Sequence, residues 1–273
     1  MAGVAAAAYG VPSREHVVPA PGTQILLALV AALVPPGRAA VLGPTYSEFS
    51  RAAALAGHDV AEVGDIGQLR DADLAIVANP NNPDGRVLKR QELLDLANVG
   101  RPRGGLLVVD EAFMDVGPAG ASLGGEVAGH DMVVLRSFGK FFGLAGLRLG
   151  FALAEPQIAA RLAALLGPWA VAGPAIAIGQ MALTDTEWIN ATRERLVGEA
   201  RRLDAVLAGA GMEVVGGTSL FRLVRTSSAD RVFDRLGRAG IFVRRFPEDA
   251  KWLRFGLPCE EASWDRLRVA LGR

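Results

Sequence analysis

The sequence predicts an α/β protein with a mostly parallel sheet and a small second α/β domain. In the first two-thirds of the chain, short apolar runs alternate with helical patterns, as buried strands alternate with crossover helices. The last third carries shorter strand patterns after one long helical pattern. The domain boundary is therefore expected near residue 185, with a large domain at 1–185 and a small C-terminal domain at 186–273.

Six strands and four helices are predicted in the large domain. The strand patterns are short and mostly continuously apolar, whereas the helical patterns are longer. Right-handed crossovers between such elements give a parallel or mostly parallel sheet. The predicted strands cover 38–44, 58–63, 73–79, 105–112, 132–138 and 147–154, and the predicted helices cover 23–34, 46–56, 89–96 and 156–166.

The small domain is predicted to begin with a long helix at about 186–210, where apolar residues recur every three or four positions. The shorter strands after it are expected to form a second sheet. They cover 212–216, 219–225, 241–246 and 252–258, with helices at 229–240 and 261–271. At the other end of the chain, the alanine-rich MAGVAAAAYG is typical of the end of a helix.

Composition excludes several classes of partner. The 273 residues are 51% hydrophobic and 21% charged, and acidic and basic residues balance at 29 each, so no overall field attracts nucleic acid or an anionic membrane. The apolar run at 25–34 is too short to span a bilayer, and a single cysteine, Cys259, fits a reducing cytoplasm. Three scattered histidines, His16, His58 and His130, are expected at the surface or at strand edges, without a metal. We therefore expect a small-molecule ligand in a local pocket.

Two polar motifs lie where ligands bind in open α/β sheets, around the ends of strands. In PAPGTQ (19–24), the backbone N–H groups of Gly22, Thr23 and Gln24 begin a helix and are suited to an anion, although this stretch alone favours an ordinary helix cap. NPNNPDG (79–85) is either a plain turn or a rigid frame that presents the side-chain amide of Asn82.

VVDEAF (108–113) ends a buried strand in two adjacent carboxylates. A carboxylate in such a position is costly unless a cation or N–H group pairs with it. We choose Asp110 as the carboxylate that needs this partner.

Lys140 stands out among only three lysines. Lys89 and Lys251 have polar neighbours, whereas Lys140 lies in SFGKFFGLAGLRLG, an apolar loop with glycines after a strand. Such surroundings are expected to lower the pKa of the amine and make it a nucleophile toward an aldehyde. Arg148, eight residues later, has forked donors that suit a phosphate. An anion cradle, a carboxylate, a lysine and an arginine together describe a site for pyridoxal 5'-phosphate.

Five motifs occur along the chain in the order PGTQ, GPTY, NPNNPDG, DEAF and SFGKFFGLAGLRLG. Together they resemble the signature motifs of the aspartate-aminotransferase superfamily, the fold type I pyridoxal-phosphate enzymes. The resemblance runs from about residue 16 to the C-terminus. It implies that Lys140 bonds to the cofactor aldehyde and that Asp110 pairs with the protonated ring nitrogen. It also implies a homodimer. The remaining implied cofactor contacts are Asn82 and Phe113 near the phenolic oxygen, Tyr46 on the ring, and Gly22, Thr23, Gln24, Ser137 and Arg148 at the phosphate.

Within the superfamily, the chain is similar to two sister families, the threonine-phosphate decarboxylases of cobalamin biosynthesis and the histidinol-phosphate aminotransferases. Three features favour the decarboxylase family: DEAF where DEAY could stand, the segment PWAVAGPA and the segment TSLFRLV. That resemblance implies decarboxylation of L-threonine O-3-phosphate to (R)-1-amino-2-propanol O-2-phosphate. Arg254 would then bind the substrate carboxylate and Arg244 its phosphate, with Asn82 also near the substrate.

Two alternatives stay open beside these enzymes. Relatives carry several dozen residues before the point where this chain begins, so the N-terminal arm is expected to be missing and a truncated, non-catalytic protein of this fold is one reading. The other is a dinucleotide-binding protein, suggested by GLAGLRLG, but its glycines miss the G-x-G-x-x-G spacing.

Overall fold

The computed structural model describes residues 1–100 and 104–272. Contacts divide this chain into two compact units. The first comprises residues 1–81 and 87–186, and the second comprises residues 82–86 and the chain from 187 onward. The division near 186 lies beside the boundary expected from the sequence, whereas the separate grouping of residues 82–86 was not expected.

A mixed sheet of seven strands forms the centre of the first unit. Its strands are β1 (Val17–Ala20), β2 (Arg38–Leu42), β3 (Asp59–Val63), β4 (Leu74–Ala78), β5 (Leu106–Asp110), β6 (Met132–Ser137) and β7 (Gly150–Ala154). Their order is β1-β7-β6-β5-β4-β2-β3. Strands β2 to β6 pair in parallel, and β7 is antiparallel to both β6 and β1.

The mostly parallel sheet and all six predicted strands are confirmed, and the structure adds β1. This strand has only four residues and contains Pro19, which gives it a weak pattern. Proline cannot donate a backbone hydrogen bond, so it is tolerated at the edge of a sheet, where β1 lies.

Six α-helices belong to the described part of the first unit. They are α1 (Ala2–Tyr9), α2 (Thr23–Leu33), α3 (Glu48–Leu55), α4 (Arg90–Ala97), α5 (Pro156–Leu166) and α6 (Gly173–Thr184). α6 was not predicted, because GPAIAIGQMALT has no charged face to mark a helical period. One core of this unit joins the sheet to α2, α3 and α5 through fully buried side chains such as Leu26, Phe49 and Leu162.

The second unit has its own antiparallel sheet and core. Its elements are α7 (Thr186–Gly209), β8 (Glu213–Thr218), β9 (Phe221–Arg225), α8 (Ala229–Arg238), β10 (Arg244–Arg245), β11 (Trp252–Gly256) and α9 (Glu261–Ala270), with strand order β10-β11-β9-β8. Leu203, Phe255 and Trp264 are buried in this core. β10 is shorter than its predicted span, and Pro247, which has no N–H to donate, follows it closely. Within the described residues, no helix is both long and apolar enough to cross a membrane.

Candidate active site

Three candidate segments of the first unit meet at one edge of its sheet. Asp110 is the last residue of β5 and Ser137 is the last residue of the parallel strand β6, so these strand ends lie side by side. Gly150 opens β7 opposite Ser137. A Cβ atom on Gly150 would lie 2.8 Å from the backbone nitrogen of Thr23, so the start of α2 packs against this same edge. The fold therefore places a helix N-terminus beside the two strand ends.

The start of α2 and the side chain of Arg148 form a cationic cradle. Gly22 has φ 90°, and a Cβ atom there would lie 2.5 Å from Nη2 of Arg148, so only glycine fits. Arg148 itself has φ 52°, an uncommon conformation for a residue with a side chain. A guanidinium at the positive end of a helix becomes favourable when an anion lies between them. The geometry therefore fits a phosphate.

The residues of the PGTQ motif do not all offer a backbone N–H group to an anion, although the sequence had predicted that they would. The Gly22 N–H donates to the carbonyl of Ala20 (2.7 Å), so this glycine provides space for Arg148 while its amide is used within the turn. The side chain of Gln24 donates to Glu48 (2.8 Å) and accepts from the hydroxyl of Tyr46 (3.3 Å). Its backbone N–H, together with that of Thr23, remains in the first helical turn, where α-helices lack internal acceptors.

Tyr46 precedes α3 and presents a partly exposed ring. The ring packs edge to face against Phe49, with centroids 5.6 Å apart. The hydrogen bond to Gln24 links the hydroxyl of Tyr46 to the start of α2. The aromatic side chain is thus held by contacts at both its ring and its hydroxyl group.

Asp110 carries a strongly perturbed carboxyl group. Burial raises its pKa to about 6, and the N–H of Ala112 (3.0 Å from Oδ1) and the charge of Lys140 partly oppose this rise. Lys140 is therefore within electrostatic reach of Asp110. Its Nζ also lies 5.3 Å from the ring centroid of Phe113, two residues beyond the DE pair. The structure brings together the amine, the carboxylate and the phenylalanine that the sequence singled out.

Lys140 is exposed, which corrects the expectation that its loop would embed it in apolar surroundings. The neighbouring aromatic rings turn inward instead: Phe138, Phe141 and Phe142 are buried, and the rings of Phe138 and Phe142 stack at 4.3 Å. The loop turns back at Gly143 (φ 67°), whose N–H donates to the carbonyl of Lys140 (3.1 Å). The apolar residues thus anchor the loop and leave the amine accessible to a ligand.

Ser137 is buried next to this loop. Its Oγ accepts the N–H of Gly139 (3.3 Å), which leaves the hydroxyl hydrogen to donate to a second group. Because Ser137 ends β6, its position is fixed by the sheet. It is thus placed to add a neutral donor at the edge where α2 begins.

Glu111, and not Asp110, is the carboxylate of the DE pair that has an arginine partner. Nη1 of Arg136 lies 2.9 Å from Oε2 of Glu111, and Nη2 of Arg136 binds Asp115. All three side chains are buried. Sequence reasoning missed this group, although an arginine inside the apolar strand β6 indicates a buried partner.

Asn82, Arg244 and Arg254 belong to the second unit. Arg244 of β10 and Arg254 of β11 are direct cross-strand partners, and Nη1 of Arg254 donates to Oδ1 of Asn82. Burial lowers the pKa of Arg254, and the charge of Arg244 lowers it further. The guanidinium of Arg254 also lies 5.1 Å from the ring of Phe221. Two like charges side by side are unfavourable by themselves, so the pair suits a ligand with two anionic groups.

His16 and His58 are buried and not at the surface, and each directly precedes an edge strand of the sheet, β1 and β3. The ring of His58 packs inside the first unit, with Nε2 3.0 Å from the carbonyl oxygen of Ala31. Buried imidazoles of this kind are satisfied by backbone groups. Among the described residues, no group of three or more potential ligand side chains could hold a metal ion.

The motif geometry is matched by a family comparison that covers nearly all of the chain. The family described as aminotransferase class I and II matches residues 7–271. The chain belongs to this family. The resemblance to this class of enzymes that the motifs predicted is therefore confirmed.

Individual relatives refine the comparison. A threonine-phosphate decarboxylase from Sinorhizobium sp is 46% identical, over 94% of this chain and 77% of the relative. One from Pseudomonas aeruginosa is 43% identical, over 98% and 82%. A histidinol-phosphate aminotransferase from Mycobacterium bovis is 34% identical, over 95% and 73%. Among solved structures, a histidinol-phosphate aminotransferase from Sinorhizobium meliloti in complex with pyridoxal-5'-phosphate has a TM-score of 0.88 at 23% identity, over 99% of this chain and 79% of that one.

Proposed function

We propose that the chain is a pyridoxal-phosphate-dependent decarboxylase that converts L-threonine O-3-phosphate to (R)-1-amino-2-propanol O-2-phosphate, a reaction of cobalamin biosynthesis. The observation that carries the proposal is the grouping of Lys140, Asp110 and the cradle of Arg148 and α2 in the first unit. These groups supply an amine, a carboxylate and an anion site. The similarity to threonine-phosphate decarboxylases supports the choice of substrate.

The residues fit the cofactor. When bound, pyridoxal phosphate links through its aldehyde to an amine and withdraws electrons from the α-carbon of an amino acid, so that a bond to this carbon breaks. The first helical turn at Thr23 and Gln24, with Arg148 and Ser137, would hold its phosphate. Gly22 would keep the backbone close to Arg148. Tyr46 would pack against the ring, and Asn82 would donate to the phenolic oxygen.

Asp110 and Lys140 would handle the protons. Above about pH 6 the carboxyl group of Asp110 is ionised and would hold a proton on the ring nitrogen. The exposed amine of Lys140 would bond to the aldehyde and later carry a proton to the α-carbon. Phe113 offers Lys140 a ring without a hydroxyl group, so this position adds no hydrogen bond to the phenolic oxygen.

Arg244 and Arg254 would hold the two anionic ends of the substrate. Arg254, already bonded to Asn82, would bind the carboxylate, and Arg244 would bind the phosphate. The angle at which Arg254 holds the carboxylate would decide between decarboxylation and amino transfer.

Amino transfer with histidinol phosphate is the second candidate function, since a histidinol-phosphate aminotransferase is also a relative of this chain. The same Lys140, Asp110 and cradle would serve both reactions. The two differ in which bond to the α-carbon breaks, and therefore in products that are easily measured.

The test supplies threonine phosphate to protein loaded with pyridoxal phosphate and follows carbon dioxide release beside glutamate-dependent amino transfer. We expect carbon dioxide without transfer, and we expect Lys140→Ala to lose both turnover and the visible absorbance of the lysine-linked cofactor. Lys89→Ala, at an exposed lysine, is the matched control and should retain both. Transfer with histidinol phosphate would establish the second candidate, and a bound cofactor without turnover of either substrate would establish the non-catalytic alternative.

Assembly and location complete the proposal. The family resemblance implies a homodimer, which the mass of the native protein in solution would test. The cytoplasm, expected from the single cysteine, is the proposed compartment.

A further inference from the structure

A buried charged cluster connects the ends of β5 and β6, next to the proposed cofactor residues. It consists of Glu111, Asp115 and Arg136, whose exposed fractions are 0%, 5% and 4%. Arg136 bridges the two carboxylates through different nitrogens, 2.9 Å from Glu111 and in direct contact with Asp115. Buried charges are costly, so a cluster of this kind calls for a specific role or full compensation.

Several further contacts fix this cluster. The carboxylate of Glu111 accepts the hydroxyl of Ser122 and the N–H of Leu123, both at 2.6 Å. The guanidinium of Arg136 lies 4.4 Å from the centroid of the Tyr9 ring, which covers it from α1. Glu111 thus receives three donors, while Arg136 has a carboxylate on each side and an aromatic ring on its face. Both side chains have little freedom to move.

Each end of the bridge is adjacent in sequence to a proposed cofactor residue. Glu111 follows Asp110, and Arg136 precedes Ser137 and the loop with Lys140. The strand ends are also joined by the parallel ladder, in which Asp110 pairs with Leu135, and by the N–H of Glu111, which donates to the carbonyl of Leu135 (2.9 Å). The side-chain bridge adds a further tie between the turn at 110–115 and β6.

We propose that Arg136 is a positioning residue for the cofactor, which sets the distance between Asp110 and the Ser137–Lys140 loop by bridging Glu111 and Asp115. The inference rests on the proposed function, because it takes Asp110 and Lys140 as cofactor residues. Arg136 does not touch the cofactor in this scheme. It acts through the carboxylate that follows Asp110 and through the strand that ends at Ser137.

The charge of Arg136 provides a second readout, which needs no cofactor. The charged groups that act on Asp110 are Lys140 and Arg136, which lower its pKa, and Glu111, which raises it. The cluster holds one positive and two negative charges, so removal of Arg136 leaves two buried carboxylates beside Asp110. We expect the pKa of Asp110 to rise in Arg136→Met.

The experiment compares Arg136→Met and Arg136→Lys with the native protein. The pKa of Asp110 is followed in the cofactor-free protein by carboxyl-carbon NMR, with the signal assigned through Asp110→Asn. Affinity for pyridoxal phosphate is measured by absorbance titration. Arg136→Lys keeps the charge but lacks the two separate nitrogens that contact Glu111 and Asp115, so the Asp110 titration should stay near its native midpoint while affinity falls at least about tenfold, the scale known for residues that orient metal ligands.

Arg222→Lys is the matched control. Arg222 also joins a carboxylate, Asp204 (2.6 Å), to a backbone carbonyl, but it belongs to the second unit. It should leave both readouts unchanged. If Arg136→Met does not fold, Arg136→Lys decides by itself.

Native affinity in Arg136→Lys, or an equal loss of affinity in Arg222→Lys, would contradict the positioning role. An unshifted Asp110 titration in folded Arg136→Met would contradict it too. Failure of the native protein to bind pyridoxal phosphate would instead contradict the proposed function, so the two failures are distinct.

Discussion

At the scale of single residues, Asp110 is buried at a position where its ionised form is disfavoured. Burial raises its pKa from 3.8 to about 6, against the opposing effects of the Ala112 N–H and of Lys140. A positively charged partner would strongly stabilise the ionised form of a carboxyl group that is buried in this way. The cofactor-free protein therefore bears a cost at Asp110 that a protonated pyridine ring would offset.

Asp110→Asn should therefore stabilise the cofactor-free protein at neutral pH while removing cofactor-dependent turnover. Since the folded pKa is the higher one, the folded state binds more protons than the unfolded state between about pH 4 and 6, and native stability falls as pH rises through this window. The variant should match native stability near pH 4 and exceed it at pH 7.5 by at most about 3 kcal/mol. Urea unfolding at both pH values measures the difference. An equal pH slope in the two proteins would contradict the expectation.

Gly22→Ala tests the phosphate cradle. The added methyl group would meet Arg148 and would also strain a backbone at φ 90°, so affinity for pyridoxal phosphate should fall at least about tenfold, equivalent to about 1.4 kcal/mol. Gly129→Ala is the matched control, because Gly129 has φ 78° but no atom within 4 Å of the added carbon. It should share the strain and keep the affinity. Equal losses in both variants would show that strain alone is responsible.

At the scale of elements, β10 and β11 place two like charges opposite each other. Arg244→Gln should remove this repulsion and stabilise the second unit by about 0.2–1 kcal/mol, while it weakens binding of threonine phosphate. Arg245→Gln, one residue along β10, should have the opposite effect on stability, because Arg245 pairs with Asp230 (2.6 Å). Thermal unfolding and substrate titration of both variants check the prediction. A destabilised Arg244→Gln would argue against repulsion between the strands.

The sequence predicted a strand or helix correctly where a single spacing of apolar residues dominates a long enough segment. The buried strands and α5 were read directly from their patterns, whereas the four-residue β1 and the uniformly apolar α6 offer no contrast between faces. Motifs located Lys140, Asp110 and Arg148 because their chemistry is local. The partner of Glu111 was missed, because the pairing of Arg136 across two strands depends on tertiary packing and not on spacing along the chain.

At the scale of the whole molecule, charge balance is the dominant property. Acidic and basic residues number 29 each, so the formal net charge at pH 7 is zero. A protein near zero net charge lacks the mutual repulsion that keeps molecules apart in solution. Several large apolar side chains are also exposed, among them Trp169 and Phe242 at 94% and 85%.

Solubility should accordingly pass through a minimum near pH 7. Protonation of carboxylates and histidines below this pH adds net positive charge, and loss of protons above it adds negative charge, so repulsion grows in both directions. The test is the concentration of protein that remains in solution at a fixed concentration of polyethylene glycol, measured from pH 5.5 to 9. A solubility that changes in one direction across the whole range would contradict it.

The pentapeptide at 82–86 has a consequence for how the polypeptide is made. It belongs with the chain from 187 onward, and the N–H of Gly217 donates to its Asp84 carbonyl (2.7 Å). On the ribosome it leaves the exit tunnel well before Gly217 is translated, so this contact forms only after β8 has been made. A gene fragment that starts at codon 187 would encode that unit without one of its backbone acceptors. The two units can be separated by their contacts, but no single cut in the gene separates them.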